Sequence, residues 1–158
     1  MSDRLAALCT SCGLCCDGTL FTQVPLLAAE AAQLRGLGLV LREADERPPA
    51  LPQRCAALAG TRCTIYAERP ASCRRYRCML YSALEADEVG LDEALARVRE
   101  THGLLAALAA ALPPGPAAAL QRARAGLREE TLTPEGRAAL DRVTGQLGRH
   151  FERAAGRA

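Results

Sequence analysis

The chain has 158 residues, of which 49% are hydrophobic and 24% charged, and its formal net charge at pH 7 is only +2. The length fits one ordinary domain or a small domain with an appendage, and the hydrophobic content excludes a wholly disordered chain. The near-balance of charge excludes a strongly basic nucleic-acid binder, so we expect no nucleic-acid partner.

The first half of the sequence predicts short elements separated by loops. Residues 1–18 predict a cysteine-bearing loop, residues 19–24 a short strand, and residues 26–34 a short helix that ends at the glycines after it. A second short strand is expected at 39–41. Residues 42–54 are expected to form a loop, because they are charged and rich in proline.

The second half predicts three helices. Apolar residues recur every three or four positions over residues 91–112, which is typical of an amphipathic helix, and the Pro-Pro-Gly-Pro run at 113–116 ends it. A second helix follows up to about residue 130. Thr133 and Pro134 then predict the start of a last helix, because threonine is a good N-cap and proline fits the first helical position.

Cysteine is the most informative residue type in this sequence. The eight cysteines are Cys9, Cys12, Cys15, Cys16, Cys55, Cys63, Cys73 and Cys78. The sequence has no secretory signal pattern, and its most apolar run is too short to cross a bilayer, so we expect a cytoplasmic protein without a membrane segment. Thiols stay reduced in that compartment, which favours metal binding over disulfides.

The first four cysteines have the spacing C-x2-C-x2-C-C. Two intervening residues let a tight loop direct two sulfurs at one metal, as in zinc knuckles and iron–sulfur clusters. The side chains of adjacent Cys15 and Cys16 point apart on an extended backbone, so either each serves a different metal or only one is a ligand.

The other four cysteines have the spacing C-x7-C-x9-C-x4-C, which indicates sulfurs brought together by a hairpin and a turn. A hairpin is expected near Ala59 and Gly60.

All eight cysteines are therefore candidate metal ligands, in two four-cysteine sites or in one four-iron cluster with spare thiols. We favour an iron–sulfur cluster over Zn²⁺, because three cysteines at i, i+3 and i+6 are similar to the opening of a ferredoxin-type run. Six arginines and one acidic residue lie between residues 54 and 78. As a group, these guanidinium ions would lower thiol pKa values and offset thiolate charge.

Arg69 and His102 are two further residues that could bind a ligand or have a structural role. Arg69 could hold a phosphate or carboxylate, but we prefer a structural role in which it pairs with a nearby acid or carbonyl and Pro70 starts a helical turn. His102 lies on the apolar stripe of its helix and is interpreted as a core or interface residue rather than a metal ligand.

Two segments, residues 9–16 (CTSCGLCC) and 63–78 (CTIYAERPASCRRYRC), together resemble the YkgJ-type CxxCxxCC cysteine-cluster family. That family is described as a zinc- or iron-chelating domain, and the same domain type occurs in bacterial flagellin lysine N-methylases. The resemblance covers about residues 9–80 and all eight cysteines. It implies that the cysteines chelate a metal, and it implies no settled reaction.

The expected fold class is α+β and mostly helical. Residues 1–82 are predicted to form a small, irregular metal-binding domain with short hairpins, and residues 83–158 an α-helical C-terminal extension built as a hairpin or bundle.

The predicted function is that of a metal-binding protein with a role in redox chemistry, metal handling or as an accessory factor. One alternative is an iron–sulfur-dependent group-transfer enzyme, similar to the methylases. Another is a zinc-stabilised interaction module whose C-terminal helices bind an unidentified protein partner. Whether the protein is an enzyme stays open.

Overall fold

The computed structural model describes residues 3–44 and 47–152. The helices within these ranges are α1 (Asp3–Cys12), α2 (Ala28–Gly36), α3 (Ala71–Arg75), α4 (Met79–Glu85), α5 (Leu91–Ala110), α6 (Ala119–Arg128) and α7 (Pro134–His150). The strands are β1 (Gln23–Pro25), β2 (Arg42–Ala44), β3 (Arg47–Pro52), β4 (Leu58–Ala59) and β5 (Arg62–Cys63). The predicted fold class, α+β and mostly helical, is confirmed.

The chain forms two compact units. Unit 1 comprises Met1–Cys12 and Arg77–Ala158, and unit 2 comprises Gly13–Tyr76. Unit 1 therefore contains α1 and α4–α7, whereas unit 2 contains the five strands together with α2 and α3. These units describe which parts of the chain contact each other and do not test a domain boundary. The boundary predicted at residue 82 therefore stays a prediction.

Unit 1 is built from helices that share an apolar core. Helices α5, α6 and α7 pack against one another, and α1 packs against α4 and α5. Each helix buries one apolar face, as an amphipathic helix does. The completely buried side chains of this core include Leu84, Leu108, Leu120, Val143 and Leu147. No helix in the described ranges is long and apolar enough to cross a membrane.

The three helices predicted in the second half are confirmed as α5, α6 and α7. Helix α7 also begins as predicted: Pro134 is its first residue, and the Thr133 hydroxyl accepts a hydrogen bond from the Gly136 amide at 3.1 Å. This N-cap satisfies one of the amides that a helix leaves without a partner at its start.

The prediction of a loop over residues 1–18 is wrong for its first part, because α1 occupies most of it. Leu5 and Leu8 lie one turn apart and are both buried. Together with good helix formers between them, they make a short amphipathic helix. Cys9 and Cys12 are consequently spaced by helix geometry, on one face, and not by a tight loop.

Unit 2 contains a three-stranded antiparallel sheet in which β3 lies between β1 and β2. The prediction of a loop over residues 42–54 is therefore wrong. Proline disfavours a central strand because it has no amide to donate, but its φ angle suits extended backbone. The burial of Ala50 and Leu51 gives the strand its stability.

The remaining elements of unit 2 lie close to their predicted places. Helix α2 confirms the helix expected near 26–34, whereas β1 and β2 begin a few residues later than the strands expected at 19–24 and 39–41. Strands β4 and β5 form the expected small hairpin, with Gly60 at φ +61° in its turn. Glycine adopts this left-handed conformation without steric cost.

The core of unit 2 is small and contains a thiol. Its buried members are Leu26, Ala31, Leu34, Leu51, Cys55 and Ala57. The partly buried side chains packed against them are Cys16, Val24, Leu39, Leu41, Leu58 and Ile65. Two of the predicted metal ligands are thus packed into the hydrophobic core of unit 2.

Candidate metal centre

The eight predicted ligands divide between the two units. Cys9 and Cys12 lie in α1 and Cys78 is the residue before α4, so these three belong to unit 1. The cysteines of unit 2 are Cys15, Cys16, Cys55, Cys63 and Cys73. All eight are thiols; Cys55 is buried and the other seven are half-buried.

Four cysteines of unit 2 interact electrostatically with one another: Cys16, Cys55, Cys63 and Cys73. We call them the four-thiol group. They come from four different segments: the turn after α1, the loop after β3, the end of β5, and α3. Folding of unit 2 therefore brings together sulfurs that are far apart in sequence.

A turn that begins at Gly13 places Cys16. The amides of Cys16 and Asp17 both donate to the Gly13 carbonyl, at 2.8 and 3.0 Å. Gly13 has φ +69°, and a Cβ atom on it would lie 3.1 Å from the Thr61 Cα atom. Glycine is thus required here twice, for its backbone conformation and for the close approach of the β4–β5 turn.

Backbone hydrogen bonds hold Cys55 and Cys63 near this turn. The Cys55 amide donates to the Cys16 carbonyl at 2.8 Å, which joins the first cysteine segment to the loop after β3. Cys63 pairs with Leu58 across the β4–β5 hairpin. In addition, Thr64 donates from its amide and its hydroxyl to the Ala57 carbonyl, at 2.8 and 2.9 Å.

Glu30 and Ser72 anchor α3, the helix that carries Cys73. One carboxylate oxygen of Glu30 accepts from the Ala71 amide at 2.7 Å, and the other accepts from the Leu27 amide at 2.9 Å. The Ser72 hydroxyl donates to the Pro25 carbonyl at 3.0 Å. Glu30 thereby links the starts of α2 and α3. Neither residue is predicted from the sequence, because contacts across 41 and 47 positions leave no local signal.

Burial and mutual repulsion raise the pKa values of three of these thiols, Cys16, Cys55 and Cys73, which favours their protonated form. Burial, together with smaller effects of the neighbouring thiolates of Cys55, Cys63 and Cys73, raises the pKa of Cys16 to about 12. Burial likewise raises the pKa of Cys73 to about 11, with a smaller opposing effect from Arg69. The pKa of Cys55 is also raised, mainly by burial. A cation among these sulfurs would reverse this balance, because it stabilises thiolates.

The donor chemistry of the four-thiol group fits zinc or iron, both of which bind four thiolates. Among the described residues, however, no three Cys, His, Asp or Glu side chains are already arranged to hold a metal ion. The thiols are near enough to repel one another as thiolates without being at ligand positions. Binding would therefore draw the side chains inwards.

Three aromatic side chains of unit 2 make ring contacts. Tyr76 packs edge-on against Phe21, with ring centroids 4.8 Å apart. The Arg69 guanidinium lies over the Tyr66 ring, 3.5 Å from its centroid, and Arg69 Nε donates to the Tyr66 carbonyl at 2.9 Å. The preferred interpretation of Arg69, as a partner of a nearby carbonyl, is confirmed, and Pro70 does precede the turn of α3.

In unit 1, the side chain next to the first cysteines is His102. Its Nε2 donates to the Cys12 carbonyl at 2.8 Å. This ring nitrogen is occupied by a backbone oxygen, in agreement with its interpretation as a core or interface residue. The Cys78 sulfur accepts from the Tyr81 amide at 3.3 Å and caps α4.

A comparison with protein families gives one match. The model of the CxxCxxCC family, described as a putative zinc- or iron-chelating domain, matches residues 8–97. These residues are more than half of the chain and include all eight cysteines. No significant match was found among curated proteins or among solved structures.

Proposed function

Because the chain belongs to the CxxCxxCC family, we propose that it chelates zinc or iron, with the four-thiol group as the ligand set of unit 2. The observation that carries this proposal is the convergence of Cys16, Cys55, Cys63 and Cys73 from four segments into one electrostatically coupled group. Four buried or half-buried thiols form a donor set of the kind that soft metals prefer.

The choice between zinc and an iron–sulfur cluster is left to experiment. The preference for a cluster came from three cysteines in one presumed loop, but Cys9 and Cys12 are helical and lie in a different unit from Cys15. Four thiolates suit a single Zn²⁺ and an iron–sulfur cluster alike. Such a centre would supply a folding cross-link in either case, and electron storage if it is a cluster.

We place metal handling ahead of a purely structural role. A structural zinc site is closed, whereas a working centre keeps ligands that solutes reach. Three members of the four-thiol group, Cys16, Cys63 and Cys73, are only half-buried. Their partial exposure supports exchange of the metal with an external donor.

The test is anaerobic purification followed by analysis of iron, zinc and acid-labile sulfide, with an absorption spectrum. About four iron and four sulfide per centre with a broad visible band identify a cluster. About one zinc per four thiolates without such a band identifies a zinc site. A protein that binds neither metal contradicts the proposal.

Single Cys→Ser variants test the ligand set. Serine at position 16, 55, 63 or 73 is expected to abolish retention of the same metal. Cys15→Ser is the matched control for Cys16→Ser, since the two residues are adjacent in sequence and equally half-buried. Loss of this metal in Cys15→Ser but not in Cys16→Ser would refute the four-thiol group as the ligand set.

A further inference from the structure

Unit 2 contains a pocket of about 200 Å³ between α2 and the segment that leads into α3. Its polar lining residues are Glu30, Gln33, Glu68, Arg69 and Arg74. None of them is a cysteine. The pocket is therefore a feature separate from the candidate metal ligands.

Arg69 is held in a fixed position in this pocket. Its guanidinium stacks on Tyr66 at 3.5 Å, and its Nε donates to the Tyr66 carbonyl at 2.9 Å. Among the described residues, the two Nη groups of this half-buried side chain donate to no protein acceptor. The fork that a guanidinium offers to a planar anion is thus oriented in advance and still available.

Glu30 does not compete strongly for this fork. Both of its carboxylate oxygens accept backbone amides, from Ala71 and Leu27. Arg74 brings a second guanidinium to the pocket, and Gln33 adds an amide. The fork of Arg69 is therefore the donor group that the proposal uses, in a pocket that a second guanidinium also lines.

We propose that this pocket binds a small carboxylate-bearing molecule, whose carboxylate pairs with the two Nη groups of Arg69. A carboxylate is planar and matches the guanidinium fork with two parallel hydrogen bonds. A phosphate dianion is less suitable, because Glu30 and Glu68 would repel its second charge. This inference goes beyond metal chelation and does not depend on it.

Two residues of the pocket also affect the charge around Cys73, a member of the four-thiol group. Arg69 and Glu30 both line the pocket and both act electrostatically on the Cys73 thiol. A bound carboxylate would change the charge in this region. The pocket is thus a place where a small metabolite acid can be recognised beside the four-thiol group.

The experiment is an NMR titration of the isotope-labelled full chain, as purified with its metal, with acetate, succinate and phosphate at constant ionic strength. Saturable shifts are expected at Gln33, Arg69 and Arg74 for the carboxylates, with weaker binding of phosphate. Removal of the charge-assisted pair in Arg69→Gln is expected to weaken carboxylate binding roughly tenfold or more. Arg69→Lys keeps the charge but loses the fork, and should weaken binding as well.

Arg75→Gln is the matched control, because Arg75 is exposed, lies on α3 and does not line the pocket. Its affinity should stay within about twofold of the unmodified protein. Equal weakening in Arg75→Gln, tighter binding of phosphate, or linear shifts without saturation would overturn the proposal. The shift map of the unmodified chain decides the matter even if Arg69→Gln fails to fold. Metal analysis of the same samples reports separately on the proposed function.

Discussion

The two units of this chain are stabilised in different ways. Unit 1 has long helices whose leucine and valine stripes pack against one another, and its mostly apolar core also buries Thr101 of α5 and Gln146 of α7. Unit 2 has helices of at most nine residues, strands of two to six residues, and a small core in which Cys55 is buried, as far as the structure describes the chain. We therefore expect unit 1 to be stable through its amphipathic helices alone, and unit 2 to depend in addition on the proposed metal cross-link between its short segments.

Metal removal should produce the largest difference in stability between the two units. Treatment with a chelator is expected to abolish most protection of the backbone amides from hydrogen exchange over residues 13–76. Without the metal, the small core lacks its cross-link and opens to water more often. Protection of α5 and α7 should change little. Hydrogen exchange read by mass spectrometry checks this, and native-like protection of residues 13–76 without metal would contradict it.

Two leucine truncations sharpen the comparison. Leu147 in unit 1 and Leu34 in unit 2 are both almost completely buried. Each Leu→Ala change should lower the free energy of unfolding of its unit by about 2–5 kcal/mol through lost contacts and a cavity. Only Leu34→Ala should also reduce metal content, because Leu34 packs in the core that contains Cys55. Denaturant unfolding and metal analysis of both variants test this, and equal metal loss would remove the distinction.

Gly13→Ala tests the turn that places Cys16. Alanine at φ +69° costs about 1–2 kcal/mol in backbone strain, and its Cβ atom would press on Thr61 at 3.1 Å. Gly38→Ala is the control: φ is +81° there, but nothing lies within 4 Å of the added Cβ. We expect a larger loss of unfolding free energy, and weaker metal binding, for Gly13→Ala alone. Identical behaviour of the two variants would show that the Thr61 contact is unimportant.

Acid should loosen α3 through Glu30, with the smallest effect of this series. Hydrogen bonds from the Ala71 and Leu27 amides lower the pKa of Glu30 below its ordinary value of 4.5. Its contribution to stability is therefore present above pH 4.5 and is lost as the pH falls through the lowered pKa. Glu30→Gln should be less stable than the unmodified chain at neutral pH, and the difference should shrink in acid. Because Glu30 is largely solvated, we expect well under 1 kcal/mol; unfolding curves at several pH values measure it.

The sequence was informative where a pattern is periodic and local. The apolar spacing over residues 91–112 and the Thr133–Pro134 start signal predicted α5 and α7 because both reflect contacts within one helix. Strand β3 was missed because its prolines argue for a loop, and only burial of Leu51 against distant residues explains the strand. Helix α1 was missed because cysteine spacing suits a loop and a helix face equally well.

The same reasoning applies to the candidate metal centre. The eight candidate ligands, and zinc or iron as the metal, followed from composition and family resemblance. The grouping of Cys16 with Cys55, Cys63 and Cys73 did not, since segments that are distant in sequence converge only in the folded unit. Glu30 and Arg69 likewise act through contacts that no short motif records.

The chain leaves unit 1 after α1 and returns to it just before α4, and these two helices pack against each other. Residues 13–76 are thus a loop whose two ends both join helices of unit 1. Much of the chain entropy that a free peptide loses on gathering four distant thiols is already lost in such a loop. An excised segment 13–76 should consequently capture its metal more weakly than the tethered loop does, although every thiol of the group is present in both.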